Sequence, residues 1–176
     1  MNKRFLTADA FQRDCARLAK LVFDDPDWQP DFILALWRGG AQPGVIISEV
    51  FAFLGRPLPH AIVKCASYAP GIGKRTDSVV FQGADAILDS LVGKRVLVVD
   101  DVFDTGKTAE AALARLADSD ARVATVYWKP TASLVPFPPD YYVRETADWI
   151  VFPHELVGLT PEELRVKDPE LADILL

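Results

Sequence analysis

The sequence predicts an α/β fold built on a twisted parallel sheet with helices on both faces. Short aliphatic runs such as 96–99 do not alternate with polar residues, a pattern typical of strands buried on both faces. These runs alternate along the chain with segments of helical spacing, as strand–helix–strand units require. Polar and glycine-containing stretches follow several of the strands directly, at the edge where such sheets bind ligands.

The predicted elements follow one another in a regular order. After the N-cap residue Thr7, apolar residues at helical spacing predict a first helix that contains Phe11, Cys15, Leu18 and Val22. Strands are predicted over residues 32–36, 61–65, 96–99, 121–128, 141–143 and 149–152. Further helices are predicted over residues 43–54, from residue 109, and from Thr160, where Pro161 and Glu163 complete a capping-box pattern.

Length, charge and composition limit the function classes. The chain has 176 residues, 50% of them hydrophobic, which suits a single domain over residues 1–176. Its net charge of −6, from 25 acidic and 19 basic residues, argues against nucleic acid as a partner. Neither a run of ~20 apolar residues nor a signal peptide is present, so we expect a cytoplasmic protein without a membrane partner. Cys15 and Cys65 show no metal-ligand spacing, and we expect both to be free core residues.

The strongest functional signal is the stretch that leads from the strand 96–99 into the next helix. Asp100 and Asp101 stand where that strand is predicted to end, and the residues 104–108 (Asp-Thr-Gly-Lys-Thr) open the helix. N–H groups and the helix dipole at such a helix start bind phosphate. Carboxylates accept hydrogen bonds from sugar hydroxyls or hold a hard cation. The pattern therefore predicts a site for a sugar phosphate.

Two other interpretations of this stretch are weaker. A Walker A loop needs a glycine five residues before its Gly-Lys pair, and that position is Asp101, whose charge would repel a triphosphate. An ordinary strand-to-helix turn with a polar cap explains one polar residue. It explains neither the second acid nor the order Asp-Thr-Gly-Lys-Thr.

The same stretch closely resembles the phosphoribosyl pyrophosphate (PRPP) motif of the type I phosphoribosyltransferases. The resemblance implies that family's fold, with a small hood, and ribose hydroxyls bound by Asp100 and Asp101. It implies that the 5′-phosphate is held by the loop residues Asp104, Thr105, Gly106, Lys107 and Thr108. It also implies Mg²⁺ as cofactor, with Asp101 and Glu155 as candidate ligands, and a homodimer or homotetramer.

A second stretch, Arg38-Gly39-Gly40, follows the strand 32–36 after Trp37. Glycines let backbone N–H groups approach an anion closely, and the guanidinium neutralises its charge. The stretch resembles the pyrophosphate loop of purine phosphoribosyltransferases, particularly the bacterial xanthine–guanine type. The resemblance implies that Arg38 and Gly39 bind the pyrophosphate of PRPP, and that a strained, often cis, peptide lies near Trp37-Arg38.

Ser67 and Tyr68 resemble the pair that begins a flexible hood in this family. The stretch over about 67–83 is rich in glycine, proline and basic residues, and its composition predicts a mobile loop. Closure of a hood would shield the reaction centre from water. Lys74 and Arg75 would then either reach the pyrophosphate or form a solvated basic loop tip.

A base-covering segment over about 129–155 carries two further resemblances. Lys129 matches the lysine that donates to the exocyclic oxygen at purine C6, and a side chain that only donates favours a 6-oxo purine over adenine. Trp149 matches the ring that stacks on the base, and Ile150 follows it with a backbone contact. His154 stands where relatives usually carry Trp, whereas Glu155 keeps the carboxylate, which leaves the preferred base open.

These resemblances imply transfer of the phosphoribosyl group from PRPP to guanine, xanthine or hypoxanthine, with release of pyrophosphate, in purine salvage. By analogy with the family, Asp104 is the candidate catalytic residue, because it would take the N7 proton as purine N9 attacks C1′ of the ribose. Two alternatives stay open. One is a PRPP-binding regulatory protein without turnover, and the other is a phosphoribosyltransferase for a non-purine base.

Overall fold

The computed structural model of the protein describes residues 3–67 and 79–176. The chain divides into two compact units. The larger unit comprises Asp14–Ala147, and the smaller unit comprises the residues up to Arg13 together with Asp148–Leu176. A single domain over 1–176 stays a prediction.

Secondary structure covers most of the described ranges. The strands are β1 (Lys3–Phe5), β2 (Phe32–Trp37), β3 (His60–Ser67), β4 (Val79–Gln82), β5 (Arg95–Phe103), β6 (Asp120–Trp128), β7 (Tyr141–Glu145) and β8 (Trp149–Val151). The helices are α1 (Ala8–Phe23), α2 (Ala41–Phe53), α3 (Asp85–Asp89), α4 (Lys107–Arg115), α5 (Pro161–Lys167) and α6 (Pro169–Leu175).

The larger unit is organised around one sheet with the strand order β4-β3-β2-β5-β6-β7. Its neighbouring strands run parallel, except for β3 and β4, which run antiparallel. The chain moves outward in one direction from β2 to β3 and in the other from β5 to β6. The order therefore reverses between the adjacent strands β2 and β5, and such a switch point opens a crevice at the carboxyl ends of the strands. The predicted fold class is confirmed, with one antiparallel edge strand added.

Aliphatic side chains of β2 and β5 form the centre of the core in this unit. Leu34, Leu36, Val96 and Val98 are each at most 2% exposed and belong to one buried cluster. Because a slip of one residue would move every side chain of a strand to the opposite face of the sheet, the packing of these side chains in one cluster specifies the register. In that register, the loops after β2 and β5 meet at the same edge.

Strand β5 extends further than predicted. It runs to Phe103, so Asp100 and Asp101 lie inside the strand and not after its end. Pairing of β5 with β2 ends at Val99, whereas pairing with β6 continues to Phe103. The acidic pair therefore belongs to a strand that still has a hydrogen-bonded neighbour, but on one side only.

The predicted mobile loop over 67–83 is corrected at its end. Val79–Gln82 form β4, which pairs with β3 through the register Ser67 to Val79. The short helix α3 follows, and neither element has a pattern that the sequence made recognisable. The other hood candidate, Tyr68, lies outside the described residues, as do Lys74 and Arg75.

In the smaller unit, β1 and β8 pair in parallel as a separate two-stranded sheet. The sequence predicted β8 but not β1. Helix α5 begins with the predicted capping box: Glu163 N–H donates to Thr160 Oγ1 at 3.2 Å, and Thr160 N–H donates to Glu163 Oε2 at 3.1 Å. This reciprocal pair satisfies two of the donors that a helix start leaves open.

Cys15 is buried, Cys65 is half-buried and both are free, as predicted. Burial raises the pKa of each thiol to about 12, which disfavours the reactive thiolate. Among the helices of the described ranges, none combines the length and the apolar character needed to cross a membrane.

Candidate active site

A cavity of about 70 Å³ opens in the larger unit beside the carboxyl end of β5. It is lined by the strand residues Leu36, Val98, Asp100, Val102, Phe103, Val123 and Thr125, and by the loop and helix residues Asp104, Thr105, Gly106, Thr108 and Ala109. The structure thus brings Asp100 together with four of the five loop residues predicted to bind phosphate. Lys107, the fifth, begins α4 and is not among the lining residues.

The acidic pair lies at the base of this region. Asp101 is 7% exposed, and its N–H donates to Asp100 Oδ1 at 3.0 Å. Burial raises the pKa of Asp100 to about 7, although hydrogen bonds from Asp101 and from the Gly40 backbone oppose the shift. A carboxylate in such surroundings is stabilised by further donors or by a cation, which sugar hydroxyls or a metal ion would supply.

The loop after β2 packs directly on the acidic pair. A Cβ atom added to Gly39 would lie 2.4 Å from Asp101 Oδ1 and 2.6 Å from Asp100 Oδ1. At Gly40 it would lie 2.0 Å from the Val99 carbonyl oxygen. At Gly40 the backbone leaves no room for a Cβ atom, and at Gly39 a Cβ atom would force the carboxylates to move, so both glycines permit a close approach of the loop. The peptide between Trp37 and Arg38 is cis, as the resemblance implied, and Arg38 itself is exposed.

The loop over 104–108, the predicted phosphate loop, is shaped by a glycine and held by a neighbouring segment. Gly106 has φ of 80°, and a Cβ atom there would lie 2.3 Å from Val135 Cγ2. Leu134 N–H donates to the Thr105 carbonyl at 2.9 Å, which ties the loop to the segment after β6. The loop therefore leads into the first turn of α4 in a fixed conformation, where backbone N–H groups point out of the helix start.

Asp104 and Lys129 meet at the side of the cavity. Lys129 Nζ donates to Asp104 Oδ2 at 3.1 Å. Lys129 is 8% exposed, and its N–H donates to the Phe103 carbonyl at 2.9 Å, so its backbone continues the pairing of β6 with β5. The predicted catalytic residue and the predicted base-binding lysine thus form one ion pair, although the two lie far apart in the sequence.

Sequence reasoning missed Thr125. It is 1% exposed, pairs in register with Asp100 and lines the same cavity. Its Oγ1 has no hydrogen-bond partner within the part of the chain that the structure describes. The available signal was a lone hydroxyl in the otherwise apolar middle of β6, a position where a buried polar group without a partner is unfavourable.

The remaining site candidates lie in the smaller unit, because the unit boundary falls inside the predicted base-covering segment 129–155. Trp149 is 43% exposed, whereas Ile150 is 5% exposed. A cavity of about 210 Å³ in this unit is lined by Lys3, Trp149, Val151, Glu155, Val157, Gly158 and Leu159. Glu155 Oε2 accepts the Phe152 N–H at 3.0 Å, so this candidate metal ligand is engaged inside its own turn.

Comparison with known proteins gives a consistent result. Residues 1–157 match the phosphoribosyl transferase domain family. The xanthine-guanine phosphoribosyltransferase of Ruegeria sp. (strain TM1040) is 34% identical over 156 residues, which cover 86% of this chain and 82% of the relative.

Two solved structures extend the likeness to the fold. A purine phosphoribosyltransferase from Pyrococcus horikoshii has 31% identity and a TM-score of 0.70, covering 91% of this chain and 98% of that one. A Neisseria gonorrhoeae protein solved with bound ppGpp has 28% identity and a TM-score of 0.73, covering 96% and 97%. The matched family model spans both the acidic pair and the phosphate loop. With these motifs at one sheet edge and relatives along most of its length, the chain belongs to the phosphoribosyltransferase family.

Proposed function

We propose that this protein transfers the 5-phosphoribosyl group from PRPP to a 6-oxo purine base and releases pyrophosphate. The observation that carries the proposal is the Asp104–Lys129 ion pair beside a cavity that also contains Asp100 and the phosphate loop. The relatives in Ruegeria and Pyrococcus, named for xanthine-guanine and purine substrates, support the choice of base.

PRPP would bind along the carboxyl ends of β2 and β5. Asp100 and Asp101 would accept hydrogen bonds from the ribose hydroxyls, and the residues 104–108 would hold the 5′-phosphate. The backbone at Gly39 would approach the pyrophosphate, and Arg38, which is exposed, would neutralise part of its charge.

The base would be recognised at its C6 oxygen. Lys129 donates to Asp104, and an ammonium, which can only donate hydrogen bonds, would pair with a carbonyl oxygen on the ligand. Adenine presents an amino group at C6, so two hydrogen-bond donors, this amino group and the Lys129 ammonium, would face each other. Trp149 would stack on the ring, and the Ile150 backbone would contact its edge.

Asp104 would take the proton from purine N7 as N9 attacks C1′ of the ribose. Its Oδ2 is held by Lys129, and a carboxylate has a second oxygen that can accept the proton. The new bond forms between N9 and C1′, the bond from C1′ to the pyrophosphate oxygen breaks, and its electron pair leaves with pyrophosphate.

Mg²⁺ fits this arrangement as cofactor. It is commonly held through one or two carboxylates together with substrate phosphates, and the neighbouring carboxylates of Asp100 and Asp101, both beside Gly39, offer such ligands. In the described ranges, no group of three or more His, Cys, Asp or Glu forms a closed metal cage. When bound, Mg²⁺ would neutralise charge on the departing pyrophosphate. Asp101 and Glu155 stay the proposed ligands, and the cytoplasmic location and a homodimer or homotetramer likewise stay proposals.

The proposal is tested by measuring pyrophosphate release from PRPP and Mg²⁺ with guanine, xanthine, hypoxanthine, adenine, uracil and orotate in parallel. Turnover with at least one 6-oxo purine, and none with adenine, would support both the reaction and the role of Lys129. Binding of PRPP without turnover of any base would contradict the proposed enzymatic activity and favour the alternative, a PRPP-binding regulatory protein.

The Neisseria likeness favours a second, compatible function, which is binding of guanosine tetraphosphate. That nucleotide combines a 6-oxo purine, a ribose and two diphosphates, which are the groups that Lys129, the acidic pair and the phosphate loop would recognise. Titration calorimetry would then show ppGpp binding that excess PRPP abolishes. Binding that persists undiminished in saturating PRPP would contradict a shared site.

A further inference from the structure

Helix α5 of the smaller unit lies outside every role assigned above. Glu163 and Lys167 stand four residues apart on it, so both side chains project from the same face. Leu164, next to Glu163, is 8% exposed and anchors this side of the helix in the unit. The two charged residues on this face make separate contacts with the chain around Trp149.

Lys167 reaches back to the turn that follows β8. Its Nζ donates to the carbonyl of Phe152 at 2.7 Å, to that of Pro153 at 3.0 Å, and to that of Glu155. A lysine ammonium has three N–H donors, and three main-chain acceptors use all of them. Lys167 is half-buried, and burial lowers its pKa, so the side chain is committed to this turn and not to solvent.

Other contacts also hold the turn over 152–155. The Glu155 carboxylate accepts the Phe152 N–H, and the Phe152 ring stacks on His154 with centroids 5.7 Å apart. Phe11 packs edge-on against Phe152 at 5.2 Å. The Phe152 carbonyl also accepts the Glu155 N–H at 3.0 Å, and Lys167 supplies the positive charge on which all three carbonyls converge.

The other contact of α5 holds the opposite side of the same segment. Lys3 Nζ donates to Glu163 Oε1 at 2.5 Å, and Lys3 pairs in register with Trp149 between β1 and β8. Helix α5 is therefore tied through Lys3 to β1, which pairs with Trp149 at the start of β8, and through Lys167 to the turn after β8. The stretch between these two ties contains Trp149 and Ile150.

We infer that Lys167 is a positioning residue for the purine base: its ammonium fixes the turn 152–155 and thereby the orientation of Trp149 and the Ile150 backbone. This inference rests on the proposed function. It assigns a task in base recognition to the segment after Thr160. Because Lys167 acts through the turn, its loss should weaken binding of the purine base. Binding of PRPP, which is proposed for the larger unit, should stay unchanged.

The test compares Lys167→Met and Lys167→Gln with wild type and with Arg165→Met, which removes an exposed charge from the same helix. Methionine keeps the length and the apolar stem of lysine but cannot donate, and glutamine can satisfy only some of the carbonyls. Steady-state kinetics should show the KM for the base raised by about 10- to 100-fold in Lys167→Met, since small misplacements in a site have effects of that size. The KM for PRPP should stay unchanged, Lys167→Gln should be intermediate, and Arg165→Met should match wild type.

Other outcomes overturn the inference. An unchanged KM for the base in a folded Lys167→Met protein would show that the turn positions nothing. An equal rise in the KM for the base and the KM for PRPP would reduce Lys167 to a structural contact. A lower thermal stability without a selective rise in the KM for the base would lead to the same conclusion. If the wild-type protein releases pyrophosphate with none of the purine bases tested, the proposed function itself fails. The wild-type measurement reports that result independently of the variants.

Discussion

Beside the cavity of the larger unit, one carboxyl group is desolvated and one buried hydroxyl has no partner among the described residues. In the smaller unit, by comparison, one lysine donates to three carbonyls of the turn after Trp149. Asp100 is desolvated enough for its pKa to rise to about 7, and Thr125 beside it has a buried hydroxyl without a partner among the described residues. Around 152–155, by contrast, three carbonyls converge on the Lys167 ammonium.

This difference separates groups that await a ligand from groups that hold the chain in place. Unsatisfied polar atoms destabilise a folded protein, and they persist where a substrate supplies the missing partners. Satisfied atoms rigidify the segment they belong to and need no ligand. Substitutions of the residues proposed to bind PRPP should therefore affect chemistry or PRPP binding, whereas substitutions in the turn held by Lys167 should affect binding of the base.

The largest effect is expected for Asp104→Asn. The variant keeps the shape of the side chain but removes the carboxylate that would accept the N7 proton, so kcat should fall by about 10²- to 10⁴-fold. Binding of PRPP, measured by calorimetry, should persist because the other loop residues remain. Asp118→Asn, at an exposed position, is the matched control and should retain wild-type turnover. A near-normal kcat of Asp104→Asn would show that Asp104 is not the general base that accepts the N7 proton.

Gly39→Ala should have the next largest effect. The added methyl group would lie 2.4 Å from Asp101 Oδ1, so the loop or the carboxylates must move. Displacement of that size should raise the KM for PRPP by about 10- to 100-fold, with a smaller change in the KM for the base. If the variant binds PRPP as wild type does, the contact between this loop and the acidic pair does not shape the PRPP site.

The same contrast explains what the sequence could predict. Asp100, Asp101 and the loop 104–108 are contiguous, and a strand followed by a helix is enough to place them at one sheet edge. Arg38 and Gly39 follow the neighbouring strand, so their proximity followed once the parallel sheet was predicted. Such local signals were enough to predict that the residues proposed to bind PRPP lie at one sheet edge.

Contacts that depend on distant residues left no comparable signal. The pairing of Lys129 with Asp104 depends on the register of β5 and β6, and the position of Thr125 beside Asp100 depends on the same register. Lys167 contacts residues 12 to 15 positions earlier in the chain through a turn whose geometry no pattern reports. Strand β1 is only three residues long and has too few positions to show a period.

A pH-dependent effect on stability is expected from Asp14 in the larger unit. Asp14 is 2% exposed and accepts hydrogen bonds from Arg144 Nε at 2.7 Å and from Arg17 Nη1 at 2.5 Å. Burial alone raises the pKa of Asp14, but these arginines outweigh it and hold the pKa below its ordinary value. The unfolded chain therefore takes up this proton at a higher pH than the folded one. The stabilisation is complete above about pH 4 and is lost as the pH falls through the folded value.

Denaturant unfolding of wild type and Asp14→Asn between pH 7 and pH 3 would measure this contribution. At pH 7 the variant should be less stable by about 1–3 kcal/mol, and the gap should narrow toward pH 3. Asp24→Asn, which removes an exposed partner of Lys20 just after the same helix, should cost little at any pH. Parallel stability curves for wild type and Asp14→Asn would show that the arginines do not hold this carboxylate ionised.

The smallest effect is expected for Thr125→Val, and its sign distinguishes the two kinds of polar group. Valine has nearly the same shape as threonine and removes a buried hydroxyl that has no partner in the described structure, so the ligand-free protein should become more stable by about 1 kcal/mol. Val126→Thr, which buries a new hydroxyl at the next position of the strand, should be destabilising and serves as the mirror control. The free energy of unfolding in urea measures both. Destabilisation by Thr125→Val would mean that the hydroxyl is already satisfied without a ligand, and the cavity beside Asp100 would then no longer differ from the turn held by Lys167.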